Sequence, residues 1–280
     1  MSFEIHHGDC LDVLKTVPSG SVDEIVTDVP YGVNYAGRNT TYDDSKDYVL
    51  TKMPSWYAEW VRVLKEHSYV FMFVGVKNIE HWISVGKESG LTFKNLIATR
   101  TFHVQKFAAK GNFTFDLQPV LVFCKGNGKP FNEVDFFPTS TEWLSDPRNT
   151  RKQPFRYSYP NFIPTDVAFA SETFGSNRTR QRTIHPNAKN ERLCKFFVEI
   201  ATNHGDTVLD PFSGSGTTGA ASIYCGRNYI GIEQDEYWAK VSRMRLDGCT
   251  EYRALSKDEV LPNGEKEPAK PMNQQLEFDL

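Results

Sequence analysis

Long apolar runs are missing: no stretch of about eighteen consecutive apolar residues occurs, so no membrane-spanning helix is expected. The opening, "MSFEIHHGDC", lacks the basic and apolar regions of a signal peptide, which points to a protein that stays in the cytoplasm. Cysteine is sparse. Cys10, Cys124, Cys194, Cys225 and Cys249 are scattered without C-x-x-C spacing, which argues against a disulfide framework or a zinc site and for reduced thiols. No metal site is expected. No internal repeat is visible, and the formal net charge of −3 carries no overall basic surplus. What is present fits an ordinary globular protein: 280 residues, 39% hydrophobic and 24% charged, enough for one large α/β domain with an insertion or for two small domains.

Apolar patterning alternates between the two regular periods. Residues 3–6 ("FEIH") read as a short strand, 9–17 as a turn or two of helix, and 23–28 ("DEIVTD") as a compact strand. Residues 54–66 place Trp56, Trp60, Val63 and Leu64 at helical spacing. The nearly continuous apolar run 68–75 ("SYVFMFVG") is what a strand covered on both faces looks like. Residues 78–90 read as helix, 93–103 and 117–126 as strands, with a polar loop over 107–115 between them. From 127 to 184 no period holds and many of the prolines collect there, which reads as a loop-rich insertion. Helix returns at 190–203, then strand 207–210, a Gly/Ser loop, helix 217–225, strand 229–233 and helix 235–246. Strands alternating with helices predict an open, mostly parallel sheet.

The Gly/Ser loop, "TVLDPFSGSGTTG" (207–219), carries G-x-G-x-x-G at Gly214, Gly216 and Gly219, between a predicted strand and a predicted helix. Glu233 stands at the end of the next strand. Small residues let a ligand approach the backbone, and such an acid can hold ribose hydroxyls. No lysine follows the glycines, which disfavours a phosphate-binding Walker loop. A nicotinamide dehydrogenase carries a similar fingerprint and is one alternative. Against it, the unit lies near the C-terminus, and Asp210-Pro211-Phe212 stands where a small or apolar residue usually approaches the pyrophosphate. An acid there suits a cation, such as a sulfonium or an amino-acid ammonium.

A second stretch, "TDVPYG" (27–32), ends the strand that contains Glu24-Ile25-Val26 with Asp28, Pro30, Tyr31 and Gly32. Asp, Pro and Gly are turn formers, so alone it reads equally well as an ordinary strand exit. Together with the glycine loop it resembles the amino-methyltransferases that act on DNA, and within them the β class, in which the catalytic motif precedes the cofactor motif. The resemblance spans roughly residues 3–126 and 185–246. It rests on an ordered set: Gly8-Asp9-Cys10, Asp28 to Tyr31, the irregular segment, His185-Pro186-Asn187-Ala188-Lys189, and Asp210 to Gly216. Asn187 stands where that family usually has threonine.

The resemblance implies a Rossmann-like, mostly parallel α/β sheet of the S-adenosylmethionine-dependent methyltransferase type, with circularly permuted motif order and an inserted target-recognition segment. The chain would divide into a catalytic half (1–126), the target-recognition insertion (127–184), a cofactor-binding half (185–255) and a flexible tail (256–280). Asp210, Phe212, Gly214 and Gly216 would line the S-adenosylmethionine site, and Glu233 would hold the ribose. Asp9, with the backbone near Cys10, would contact the adenine; His185 and Lys189 would lie at the methionine end. In the turn, the Asp28 side chain and the Val29 carbonyl would accept the N–H groups of a target amine. Tyr31 would stack on a base flipped out of the duplex, and Pro30 would fix the turn.

An acid in first place resembles the enzymes that methylate adenine at N6; N4 of cytosine is the alternative. Cytosine C5 chemistry needs a cysteine nucleophile, usually after a proline, and none of the five cysteines follows one. Val29 departs from the usual D-P-P-Y, which keeps open a catalytically weak DNA-binding relative.

Residues 148–182 hold seven basic side chains (Arg148, Arg151, Lys152, Arg156, Arg178, Arg180 and Arg182) against two acids, a local balance of +5. Six aromatics are interleaved, which fits contacts to double-stranded DNA. The resemblance also implies a homodimer, and a bacterial cytoplasm or that of a host if the chain is phage-encoded. The chain ends "QQLEFDL", in which Gln275, Leu276, Phe278 and Leu280 resemble peptides that dock on bacterial sliding clamps.

Overall fold

A computed structural model of the chain describes residues 1–33, 43–100, 117–134, 162–163 and 189–248. In chain order the elements are β1 (Phe3–His7), α1 (Cys10–Leu14), β2 (Val22–Asp28), α2 (Lys46–Val63), β3 (Leu64–Phe73), α3 (Ile79–Glu88), β4 (Leu91–Arg100), β5 (Leu117–Lys125), β6 (Phe162–Ile163), α4 (Glu191–Ala201), β7 (Thr207–Asp210), α5 (Thr217–Tyr224), β8 (Asn228–Glu233) and α6 (Glu236–Asp247). The strands form one sheet in the order β1-β8-β7-β2-β3-β5-β4-β6. Every neighbouring pair is parallel except β3 with β5 and β4 with β5, so β5 alone runs against the rest.

Both faces are covered, which explains the continuous apolar runs. Along β3, Tyr69, Phe71 and Phe73 enter one core with Phe196 and Phe197 of α4 and Ala221 of α5. Val70, Met72 and Val74 enter the other, with Trp56, Tyr57 and Trp60 of α2 and Trp82 of α3. Residues alternate between faces while neither face is wet.

The largest departure from the sequence reading is α2. In the sequence the helical spacing reads over residues 54–66 only. The helix instead begins after Ser45, whose hydroxyl accepts the Tyr48 N–H at 3.3 Å, and Pro54 lies inside it. Burial of Val49 and Met53 on the same face as Trp56 and Trp60 outweighs the missing proline donor. The short β6, inside the segment read as patternless, pairs Phe162 with Ala98 and Ile163 with Thr99.

Glu24 is the anomaly of the central strand. It is completely buried, and neither carboxylate oxygen has a hydrogen-bond partner among the described residues. Burial pushes its acid well above the usual carboxylate range, against the pull of Lys129 and Arg227 and with Asp206 and Asp23 raising it further. A raised folded value means that the stability tied to Glu24 is whole at low pH. It is lost once the pH passes the unfolded carboxylate value and climbs through the folded one. Glu24→Met should therefore stabilise the fold by about 1–3 kcal/mol at pH 8, and by less at pH 5. Urea unfolding at the two pH values checks this; an equal gain at both would mean that Glu24 does not titrate across that window.

Candidate active site

The chain leaves β2 toward α2 on one face of the sheet and leaves the neighbouring β7 toward α5 on the other. Where adjacent parallel strands part in opposite directions, a crevice opens at their carboxyl ends. Asp28 ends β2 and Asp210 ends β7. Thr27 joins the two strand ends by donating its hydroxyl to Asp210 Oδ1 at 2.8 Å, and the Phe212 N–H donates to the same oxygen at 3.1 Å. Burial nonetheless raises the Asp210 carboxyl to about 7, and the nearby Asp28 adds to the rise.

The turn after β2 is held from several sides. Val29 is buried in the α2-side core, which accounts for an apolar side chain at that position. The Tyr31 hydroxyl lies 2.7 Å from Asp28 Oδ1 and 3.1 Å from Gln118 Oε1, while the Gln118 amide donates to the Val74 carbonyl at 2.9 Å. The Tyr31 carbonyl accepts from Asn78 Nδ2 at 2.8 Å, and the Gly32 and Val33 N–H groups donate to the Asp44 carboxylate at 2.9 and 3.3 Å. Gly75 lets the tyrosine lie close: a Cβ there would meet Tyr31 Cβ at 3.1 Å. Lys189, just ahead of α4, reaches across to the turn. Its ammonium sits 2.9 Å from Asp28 Oδ2 and donates to the Tyr31 hydroxyl at 2.9 Å. Burial raises the Asp28 carboxyl, and Lys189 is the chief influence holding it down.

The glycine loop forms the opposite wall. Gly216 has a left-handed φ of 75°, and a Cβ there would lie 2.4 Å from Ser242 Oγ on α6. Glu233 accepts the Gly214 N–H at 2.7 Å on one carboxylate oxygen and the Asp235 N–H at 2.8 Å on the other. Its carbonyl accepts the Gly8 N–H at 3.0 Å, which brings the end of β1 alongside. Asp9 follows, capping α1 through the Leu11 N–H at 2.8 Å. Burial and the adjacent Asp9 push the Cys10 thiol up to about 12, so it is no nucleophile. Phe212 packs edge-on against Trp56, ring centroids 5.1 Å apart, and anchors the loop to α2.

Asp9, Cys10, Asp28, Val29, Pro30, Tyr31, Lys189, Asp210, Phe212, Gly214, Gly216 and Glu233 thus gather at one edge of the sheet. His185, the basic series from Arg148 to Arg182, and the tail with Gln275, Leu276, Phe278 and Leu280 lie outside the described residues. Sequence reasoning missed Asp44, Asn78, Gln118 and Arg245. None sits in a motif, and only the Asp44-Ser45 pair carried a detectable signal, as a helix-cap sequence.

Residues 22–244 match the family model described as DNA methylase. The chain is 31% identical over 261 residues to "DNA adenine methyltransferase YhdJ" of Escherichia coli (strain K12), covering 89% of this chain and 84% of that protein. Among solved structures, the M1.HpyAVI–SAM complex is similar with a TM-score of 0.62 at 24% identity, over 88% of this chain and 99% of that one. The cytosine-N4-specific PvuII DNA methyltransferase is similar with a TM-score of 0.64 at 16% identity, over 95% and 89% of the two chains.

Proposed function

Because the chain belongs to the DNA methylase family, matched over residues 22–244, we propose that it methylates the N6 amine of an adenine flipped out of double-stranded DNA, using S-adenosylmethionine. The observation that carries this reading is the Asp28 carboxylate, held at a strand end beside a second buried acid and a glycine loop. The lone pair of an exocyclic amine is conjugated with the ring and is a poor nucleophile. A fixed acceptor on one N–H and a backbone carbonyl on the other favour a tetrahedral nitrogen and free that lone pair. Asp28 and the Val29 carbonyl take those parts; Tyr31 provides the stacking face. The nitrogen sheds one proton once it is methylated, and Asp28 is the acceptor beside it.

The cofactor, when bound, supplies a methyl group on a positively charged sulfur, whose bond to carbon breaks as the new carbon–nitrogen bond forms. The residues present fit it. Asp210 and Asp28 are two neighbouring acids that a cation would relieve. Glu233 is fixed by two backbone donors and keeps lone pairs for sugar hydroxyls. Asp9 and the backbone at Cys10 complete the nucleoside side, and Lys189 flanks the other end.

An acid raised to about 7 gives a signed prediction. A cation binds the ionised form of Asp210, so affinity for S-adenosylmethionine should rise from pH 6 to pH 8 by about tenfold, and Asp210→Asn should flatten the rise. The thioether product, which lacks the sulfonium, should show a weaker dependence. Calorimetric titration at the two pH values checks it, and an affinity independent of pH in the unaltered protein would remove Asp210 from contact with the cation.

The basic series Arg148 to Arg182 fits phosphate contacts on the duplex. The family relationship to a bacterial enzyme supports a cytoplasmic setting, and the tail's likeness to clamp-binding peptides supports coupling to replication. The deciding experiment incubates plasmid DNA with labelled S-adenosylmethionine and identifies the product nucleoside by mass spectrometry. N6-methyladenine bears the proposal out, N4-methylcytosine transfers it to the other base, and unlabelled DNA overturns it.

A further inference from the structure

Lys189 has few reasons to be where it is unless Asp28 needs it. Only 18% of its side chain is exposed, and a lysine so enclosed is costly unless it is paired. Its ammonium closes a triangle with Asp28 Oδ2 and the Tyr31 hydroxyl, at 2.9 Å from each. The rings of Tyr31 and Phe73 confine it further, with centroids at 5.3 and 5.8 Å. Both oxygens of Asp28 are engaged, one by Tyr31 and one by Lys189.

The link continues beyond α4. Glu191, its first residue, pairs with Arg245 of α6, and the same guanidinium donates to the Ser215 carbonyl at 3.1 Å and the Thr217 hydroxyl at 3.2 Å. Arg245 therefore ties the glycine loop to the segment that presents Lys189.

We propose that Lys189 is a positioning residue for methyl transfer, keeping Asp28 ionised and aimed at the target amine, and that Arg245 sets the place of Lys189 by fastening α4 to the glycine loop. This rests on the amine-methylation reading. The groups that act on Asp28 explain the need. Tyr31 donates from its own turn, Asp44 faces it from the segment before α2, and Asp210 lies across the strand boundary on β7. Among the described residues Lys189 is the one cation in that set. Without it the acids dominate, and a protonated Asp28 would present a hydroxyl donor to an N–H that needs an acceptor.

The test compares Lys189→Met, Lys189→Arg and Arg245→Met with the unaltered protein. One readout is the pH profile of single-turnover transfer to duplex DNA. The other is the Asp28 carboxyl titration followed by carbon-13 NMR in protein without cofactor or DNA. In Lys189→Met the titration midpoint and the acidic limb of the rate profile should move up together by about one pH unit or more. The rate deficit should then shrink as the pH is raised. Lys189→Arg should keep the midpoint close to its original value, and Arg245→Met should shift it upward by less than Lys189→Met does. A lysine that merely supports the fold would lower rates equally at all pH values and leave the midpoint in place. That result, in a folded variant of an active enzyme, overturns the proposal and spares the methylation reading. An unaltered protein that transfers no methyl group overturns both.

Discussion

Asp28→Ala should reduce methyl transfer by about a thousandfold or more, the scale seen when a preorganised charge-stabilising group is removed from an active site. The substitution deletes the acceptor for one amine N–H. It also leaves the Lys189 ammonium and the Tyr31 hydroxyl without their shared partner, 2.9 and 2.7 Å from the vanished oxygens. A cation would then face the nitrogen that has to become nucleophilic, which compounds the loss. The protein should stay folded, because Asp28 is only partly buried and the neighbouring Val29 remains packed. Cofactor binding should persist, since Asp210 and Glu233 are untouched. Asp28→Asn keeps an oxygen but brings a donor amide, and should fall between the two. Single-turnover transfer from labelled S-adenosylmethionine, beside calorimetry on the same samples, separates the effects. Transfer near the unaltered rate in Asp28→Ala would sink the assignment.

Gly216→Ala should cost about 2–4 kcal/mol of stability. One part is the left-handed backbone, φ 75°, which penalises any side chain by about 1–2 kcal/mol. The other is overpacking, because the new Cβ would lie 2.4 Å from Ser242 Oγ and 3.3 Å from Ser242 Cα, and such insertions cost about 1–3 kcal/mol. Ser242→Gly in the same chain should relieve the hydroxyl clash while leaving the dihedral strain, so the double variant should recover part of the loss. Urea midpoints for the four members of the cycle give the answer. A Gly216→Ala protein as stable as the original would mean that α6 stands off from the loop. The φ and the close approach to Ser242 together show that this glycine serves helix packing as well as loop shape.

The strands were legible because covering the sheet on both faces makes each inner strand an apolar run, as at residues 68–75. The turn at Asp28 and the loop at Asp210 were legible because turn formers and glycines stand out locally. Alternation of strand and helix puts both at the carboxyl end of a parallel sheet, while the pairing of β2 with β7, far apart in sequence, was not legible from it. What stayed hidden shares one property: the partner is far away in sequence and ordinary in type. Nothing near Lys189 announces Asp28 or Tyr31; its contact with the tyrosine spans 158 residues of sequence. Arg245 sits in a polar-looking helix, and its bonds to Ser215 and Glu191 depend on how α6 lies across the loop. Gln118 reads as one polar residue at the start of an apolar strand. The start of α2 falls too late in the sequence reading because the regular spacing begins only at residue 54, while the earlier turns are held by burial of Val49 and Met53, which tertiary packing decides.

The first strand finds its place only beside one of the last: Phe3 lies opposite Tyr229 and His7 opposite Glu233. During synthesis β1 therefore emerges long before its neighbour. At about 5–20 residues per second, roughly ten to forty-five seconds separate the two on the ribosome. Meanwhile β2 and β3 can pair, but the turn at Asp28 still lacks Gln118 and Lys189, which hold it in the finished fold. A chain released before residue 228 would lack β8, and with it the Glu233 carbonyl that accepts the Gly8 N–H. Translation thus leaves the end of β1 unpaired until nearly the whole described fold has been made.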